Sequence, residues 1–251
     1  MTFMHNINPV LVSLGPLEIR YYGLFYAFGF LITYLFLRHA VKQKKIPLCL
    51  EELDTFLIYL MMGTVIGARL FEVIFYNPAY YLAHPLKIIA VWEGGLSFHG
   101  GLLGIFLAVF LFSKKKNISW LALADLIVIP AALALALGRL GNFMNGELYG
   151  RVTSVPWGMQ FPGVEGFRHP SQFYESAKNI FIAGILLWQS KKGKQEGYLF
   201  GLFLFLYGIL RFLVEFVREP QVFVGPLTMG QALSVPVMIL GIYLIKKKGT
   251  R

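Results

Sequence analysis

The sequence predicts an all-α, polytopic membrane protein with about seven transmembrane helices and a small outward-facing head. Three observations carry this: an unusually apolar composition, seven apolar runs of near-spanning length, and lysine clusters that recur between alternate runs. Of 251 residues, 57% are hydrophobic and 14% charged, and mean hydropathy is +0.62. A soluble domain carries about 25% charged residues. This chain has too little polar surface to cover a globule in water, so lipid is its expected solvent. The length suits one integral membrane domain, 1–251, at about 20 apolar residues per helix.

The apolar runs fall at 21–37, 55–75, 96–112, 120–137, 173–188, 198–216 and 229–245. Met1 to Pro16 shows no basic leader, so the first run is expected to stay as a membrane helix. The run 85–92 is too short to span and is expected at the interface. Basic clusters follow alternate runs: Arg38, Lys42, Lys44 and Lys45; Lys114, Lys115 and Lys116; Lys191, Lys192 and Lys194; Lys246, Lys247, Lys248 and Arg251. Read as cytosolic loops, they put the N-terminus outside and the C-terminus in the cytosol. The net charge of +10 is therefore a topology signal, and no nucleic-acid partner is expected. The single cysteine, Cys49, lies in a basic loop and reads as an ordinary reduced thiol.

Arginine follows a different map. Seven of the nine arginines avoid the clusters: Arg20, Arg69, Arg139, Arg151, Arg168, Arg211 and Arg218. They sit at outer helix ends or in outer loops. Lysine supplies diffuse charge, whereas the planar guanidinium grips phosphate or carboxylate in two places. An outer arginine group suggests an anionic ligand; ordinary pairing with Glu72, Glu147, Glu215 and Glu219, or contact with headgroups, is the alternative.

The longest outer segment, 138–172, is expected to form the head. Its first 13 residues read Gly-Arg-Leu-Gly-Asn-Phe-Met-Asn-Gly-Glu-Leu-Tyr-Gly, ending at Gly150. Four glycines let backbone approach a bulky group, and Arg139, Asn142, Asn145 and Glu147 supply donors and acceptors. A turn at the membrane face and a binding site both fit. His99, in Ser97-Phe98-His99-Gly100-Gly101, is a proton acceptor by type or a hydrogen-bonded structural residue. Tyr207, Arg211, Glu215 and Arg218 fall on one helical stripe. Ionisable residues in a span mark function by default, and one glutamate cannot fully pair two arginines. Arg168-His169-Pro170-Ser171-Gln172-Phe173-Tyr174-Glu175 offers a site or a helix start capped by Ser171. Tyr21-Tyr22-Gly23 opens the first run, as an aromatic belt would. The two aspartates, Asp54 and Asp125, are far apart, which disfavours an Mg²⁺-dependent phosphotransferase.

Several of these motifs, in this order, resemble the prolipoprotein diacylglyceryl transferases. They are 138–150, Ser97 to Gly101, His169-Pro170-Ser171-Gln172, Tyr22-Gly23, 211–218 and Met229-Gly230-Gln231. The segment after Arg151 is shorter than in some relatives, and Phe173 is a conservative variation. The resemblance implies seven spans in a bacterial cytoplasmic membrane and an outward active site. It implies two substrates, phosphatidylglycerol and a prolipoprotein signal peptide with a lipobox cysteine, and no metal or other cofactor. The thiol would attack the glyceryl carbon, and glycerol phosphate would leave. On that chemistry His99 is the candidate base, and Arg139, Arg211 and then Arg218 hold the phosphate. Asn142 and Asn145 orient the headgroup beside Gly150 and His169, and Glu147 fixes the loop. Tyr22 and Tyr207 donate to lipid oxygens, and Glu215 holds the arginines. Two other readings remain: a transporter moving an anionic lipid along the arginines, and a scaffold for precursors.

Overall fold

The computed structural model describes residues 3–15, 17–44, 46, 48–220 and 222–247. Met1, Pro16, Lys45, Lys248 and Arg251, used above, lie outside the described residues. The chain is mostly helical, and it divides into two compact units, residues 1–36 with 125–251, and residues 37–124.

Eight α-helices are described: α1 (Tyr21–Lys42), α2 (Leu50–Phe71), α3 (Pro78–Ala83), α4 (Phe98–Lys116), α5 (Trp120–Met144), α6 (Ser171–Ser190), α7 (Tyr198–Val214) and α8 (Met229–Lys246). Five are long and apolar enough to cross a membrane: α1, α2 with the π-helical turn Glu72–Tyr76, α4, α5 and α8. The expected count was seven. The other two apolar runs fall short for separate reasons. α7 has only 17 residues, about 25 Å of rise. α6 buries Gln172, Glu175, Lys178 and Asn179 in its first half, which dilutes its apolarity.

Short strands complete the chain. β1 (Phe3–Met4) pairs in parallel with β4 (Met159–Gln160), β2 (Val10–Leu14) forms a hairpin with β3 (Leu17–Arg20), and β5 (Phe223–Val224) pairs with β6 (Leu227–Thr228). Pieces this short carry no readable alternation, which is why an all-α reading passed over them.

In the second unit α2 packs on α4 through Gly63 and Gly67 against Gly100 and Gly104. A Cβ on Gly63 would stand 2.6 Å from the Gly104 carbonyl oxygen, and one on Gly67 would stand 2.9 Å from the Gly104 Cα. Small residues four apart are the usual means of close helix contact in lipid. Gly100, beside His99, is thereby a packing residue. Leu102, Leu103 and Phe106 of α4 stay exposed, as a lipid-facing surface requires.

Arg69 organises the connection from α2 to α4. Its guanidinium donates to the carbonyls of Ile88 (2.9 Å), Gly94 (2.6 Å), Gly95 (3.0 Å), Ala90 (3.0 Å) and Lys87. These engage all five of its N–H donors. The segment 85–93 forms two 3-10 turns, with Leu86, Ile89 and Trp92 exposed, the pattern of an interfacial segment.

In the first unit Val128, Ile129 and Ala132 of α5 pack on Ile182, Ala183 and Leu186 of α6, flanked by Leu199, Leu202, Phe203 and Leu206 of α7. α7 also lies close along α8, where a Cβ on Gly201 would meet the Gly241 carbonyl at 3.0 Å.

Candidate functional site

The sequence predicted a loop from Gly138. The helix α5 instead runs on to Met144, so Arg139 and Asn142 stand on helical turns. Glycine and asparagine are weak helix formers, but context overrides propensity. In the first unit α5 supplies Arg139, α6 supplies Glu175 and Lys178, α7 supplies Arg211, and Glu215 and Arg218 follow directly after α7. The α5 and α7 ends are C-termini, where a helix dipole favours cations. Arg211 sits in the last turn of α7, whereas Arg139 lies before the last turn of α5.

Glu175 of α6 is the hub. Its side chain is fully buried. Its Oε1 accepts from Arg211 Nη1 at 3.0 Å and from Arg218 Nη1 at 3.3 Å. Its Oε2 accepts from Lys178 Nζ at 2.6 Å, and Arg139 Nε stands 3.8 Å from the same oxygen. Glu215 is the second carboxylate. Its Oε2 lies 2.5 Å from Arg211 Nη1 and 3.6 Å from Arg218 Nε, charge pairings without hydrogen-bond geometry. Burial and the neighbouring Arg211 push Arg218 below the usual arginine range, and the carboxylates pull it back. Four cations, Arg139, Lys178, Arg211 and Arg218, face two carboxylates, 4 − 2 = +2. Buried charge is costly unless it is paired, so this uneven cluster is the candidate site of the first unit.

The other outer arginines are engaged elsewhere. Arg20 pairs with Glu18 at 2.8 Å, and Arg168 with Glu219 at 2.9 Å. Arg151 Nε donates to the Arg218 carbonyl at 2.9 Å, and Arg69 is held by carbonyls as described. Three of the seven arginines thus gather at Glu175, and the other four have partners elsewhere. Glu147 and Glu72, named above as alternative arginine partners, accept from amides: Glu147 Oε1 from Asn142 (2.9 Å) and Asn145 (3.2 Å), Glu72 from Asn77 (2.7 Å).

The turn 145–150 is fastened to its surroundings. Gln172 Nε2 donates to the Glu147 carbonyl at 2.7 Å and Ser171 Oγ to the Leu148 carbonyl at 2.9 Å. Ser171 therefore ties the loop instead of capping α6. Gly150 N donates to the His169 carbonyl at 2.8 Å, and a Cβ there would collide with the Val217 carbonyl oxygen. His5, buried, meets the Phe143 carbonyl with its Nε2 at 2.6 Å. Tyr22 packs on Gly141, where a Cβ would stand 2.9 Å from its ring, and its hydroxyl lies 3.1 Å from that of Tyr26. Tyr207 turns its ring to the Lys178 ammonium, 4.3 Å from the centroid. His169 Nδ1 lies 3.3 Å from the Tyr174 hydroxyl, and burial lowers its pKa. A cavity of about 320 Å³ opens between Gly146, Glu147, Tyr149, Pro162, Arg218 and Glu219.

His99 belongs to the second unit. It is exposed on the first turn of α4, with Nδ1 3.2 Å from the Tyr76 hydroxyl.

A family model for prolipoprotein diacylglyceryl transferase matches residues 9–246. The chain belongs to the prolipoprotein diacylglyceryl transferase family. Curated relatives named phosphatidylglycerol–prolipoprotein diacylglyceryl transferase include one from Geobacter sulfurreducens, 47% identical over 96% of this chain and 95% of the relative. Others come from Bordetella parapertussis, 45% identical over 94% and 93%, and Nitratidesulfovibrio vulgaris, 42% identical over 98% and 96%.

Within this prolipoprotein diacylglyceryl transferase family member, the stretches that suggested the resemblance have visible structural work. Met229-Gly230-Gln231 opens α8, where Thr228 caps through Gln231 N at 3.2 Å and Gly230 leaves room for Glu215. The residues missed by sequence reading are Glu175 as a hub, Lys178 and His5. Lys178 had a signal: it is one of only two lysines, with Lys87, outside the basic clusters, and an apolar run is a costly place for it. His5 had none.

Proposed function

We propose that this protein transfers the diacylglyceryl group of phosphatidylglycerol to the lipobox cysteine of a prolipoprotein, releasing glycerol phosphate. The observation that carries this is the convergence of Arg139, Arg211 and Arg218 around two carboxylates with cationic charge left over. A lipid phosphodiester has one negative charge, and the departing glycerol phosphate gains a second. A cationic surplus of two suits that change and stabilises the charge developing in the transition state.

The cysteine sulfur attacks the glyceryl carbon, the C–O bond to phosphate breaks with its electron pair staying on the phosphate, and a thioether forms. The thiol proton goes to a base. We assign that base as His99, supported by its motif and its exposed ring. Arg139, whose guanidinium makes no hydrogen bond among the described residues, offers its fork to the phosphate, with Arg211 and Arg218 adding charge. Asn142 and Asn145, held by Glu147, orient the headgroup beside Gly150 and His169. Tyr22 and Tyr207 donate to lipid oxygens, and Glu215 holds Arg211 and Arg218.

We further infer that α6 and α7 join the five apolar helices to make seven spans within one membrane domain, and that 138–172 contributes an outer head. Lysine clusters after α1, α4, α6 and α8 support an outside N-terminus and a cytosolic C-terminus in a bacterial inner membrane. The test is purified protein with phosphatidylglycerol and a lipobox peptide. Glycerol phosphate and a lipidated peptide should form together. Lipid movement without glycerol phosphate would favour a transporter instead.

A further inference from the structure

Lys178 is part of the charge cluster, yet the transfer scheme above gives it no task. Its side chain is only 4% exposed. It lies over the Tyr207 ring and bonds Glu175 Oε2 at 2.6 Å. Arg211 and Arg218 share the other oxygen, Oε1. Arg139 Nε is held off at 3.8 Å from Oε2, beyond hydrogen-bond range. Among the described residues the Arg139 side chain makes no hydrogen bond, although it is only 18% exposed.

We propose that Lys178 is a positioning residue: by occupying Oε2 of Glu175 it keeps the guanidinium fork of Arg139 open for the lipid phosphate. This rests on Arg139 being the phosphate ligand, as assigned above. A guanidinium closed on a carboxylate through two parallel N–H bonds has no fork left for a phosphate. Without the ammonium, Oε2 is a buried anionic acceptor, and Arg139 is the nearest cation without a hydrogen bond. Burying such an oxygen without a partner is unfavourable, so Arg139 closes the gap onto Glu175. The Tyr207 ring, 4.3 Å from the ammonium, attracts it by cation–π interaction without competing for the carboxylate. Lys178 also supplies one of the two surplus positive charges.

The test measures glycerol phosphate release with lipobox peptide in detergent micelles of varied phosphatidylglycerol content, for wild type, Lys178→Met and Lys178→Arg. Lys178→Met should raise the KM for phosphatidylglycerol about tenfold and leave the KM for peptide within about twofold, because ground-state binding of one substrate alone is weakened. Lys178→Arg, keeping a cation on Oε2, should hold the lipid KM within about threefold. A partly unfolded preparation lowers kcat and moves neither KM, so the readout separates positioning from stability. Should Lys178→Met not yield folded protein, Lys178→Gln replaces it, with a lipid KM raised about threefold or more. An unchanged lipid KM in the folded neutral variant overturns the proposal, as does an equal rise in both KM values. Wild-type protein that releases no glycerol phosphate sinks the transferase reading itself, and this proposal with it.

Discussion

Glu215 lies against the bare Cα of Gly230: a Cβ at that position would stand 2.6 Å from both the carboxyl carbon and Oε1. The glycine at the start of α8 thereby sets where the second carboxylate meets Arg211 and Arg218. Gly230→Ala should push Glu215 aside and disturb both arginines. Displacing a binding group by about 1 Å can cost on the order of 10²-fold, so kcat/KM for phosphatidylglycerol should fall by at least about tenfold. Helix content by circular dichroism should match wild type. Full activity in Gly230→Ala would show that Glu215 placement is immaterial.

Arg139→Lys keeps the charge and removes the fork. Losing a donor to developing charge costs about 10²–10³ in rate, and a loss of that order is expected with normal membrane insertion. Arg20→Lys is the control. Arg20 pairs with Glu18 at the surface, both well exposed, where ion pairs contribute little, and its activity should stay near wild type. Equal activities in the two variants would remove phosphate gripping from Arg139.

Arg69→Lys tests a different arginine role. Lysine cannot hold five carbonyls in a fixed fork, so two or more are left without a donor. We expect the melting temperature to drop by about 5 °C while the lipid KM stays at its wild-type value. A changed KM with an unchanged melting temperature would reverse this assignment.

His99→Gln tests the proton acceptor. The wild-type pH–rate profile should fall on its acidic side as the proton acceptor is itself protonated. That limb should vanish in His99→Gln, along with most of the activity. If the limb survives at the same pH, some other group takes the thiol proton.

His169 gives a pH effect on stability. Burial lowers its folded-state pKa below the unfolded value of about 6.5. The unfolded chain therefore binds the proton first, and stability is full above pH 6.5 and declines as pH falls through and below it. His169→Gln should flatten that decline in melting temperature between about pH 7 and 5. A steeper decline in the variant would contradict the direction of the shift.

Much of the helical framework is legible in the sequence because lipid imposes long apolar runs. The segregation of arginine from lysine is legible too, since only lysine follows the topology rule. What the sequence hides is pairing between helices. Glu175 reads as the tail of a loop motif, and only the meeting of α6 with α7 and the segment after it makes it the acceptor for three other side chains. Arg69 looks like the other outer arginines, because its partners are carbonyls, which every residue has. His5 is invisible for the same reason: it acts on the Phe143 carbonyl across 138 residues of sequence.

The parallel pairing of Phe3 with Met159 and Met4 with Gln160, followed by His5 on the Phe143 carbonyl, has a practical meaning for whoever purifies this protein. A fusion placed ahead of β1 sits next to the ribbon that braces the loop beside Asn142 and Asn145. Activities of protein carrying such a fusion are best checked against material from which it has been cleaved.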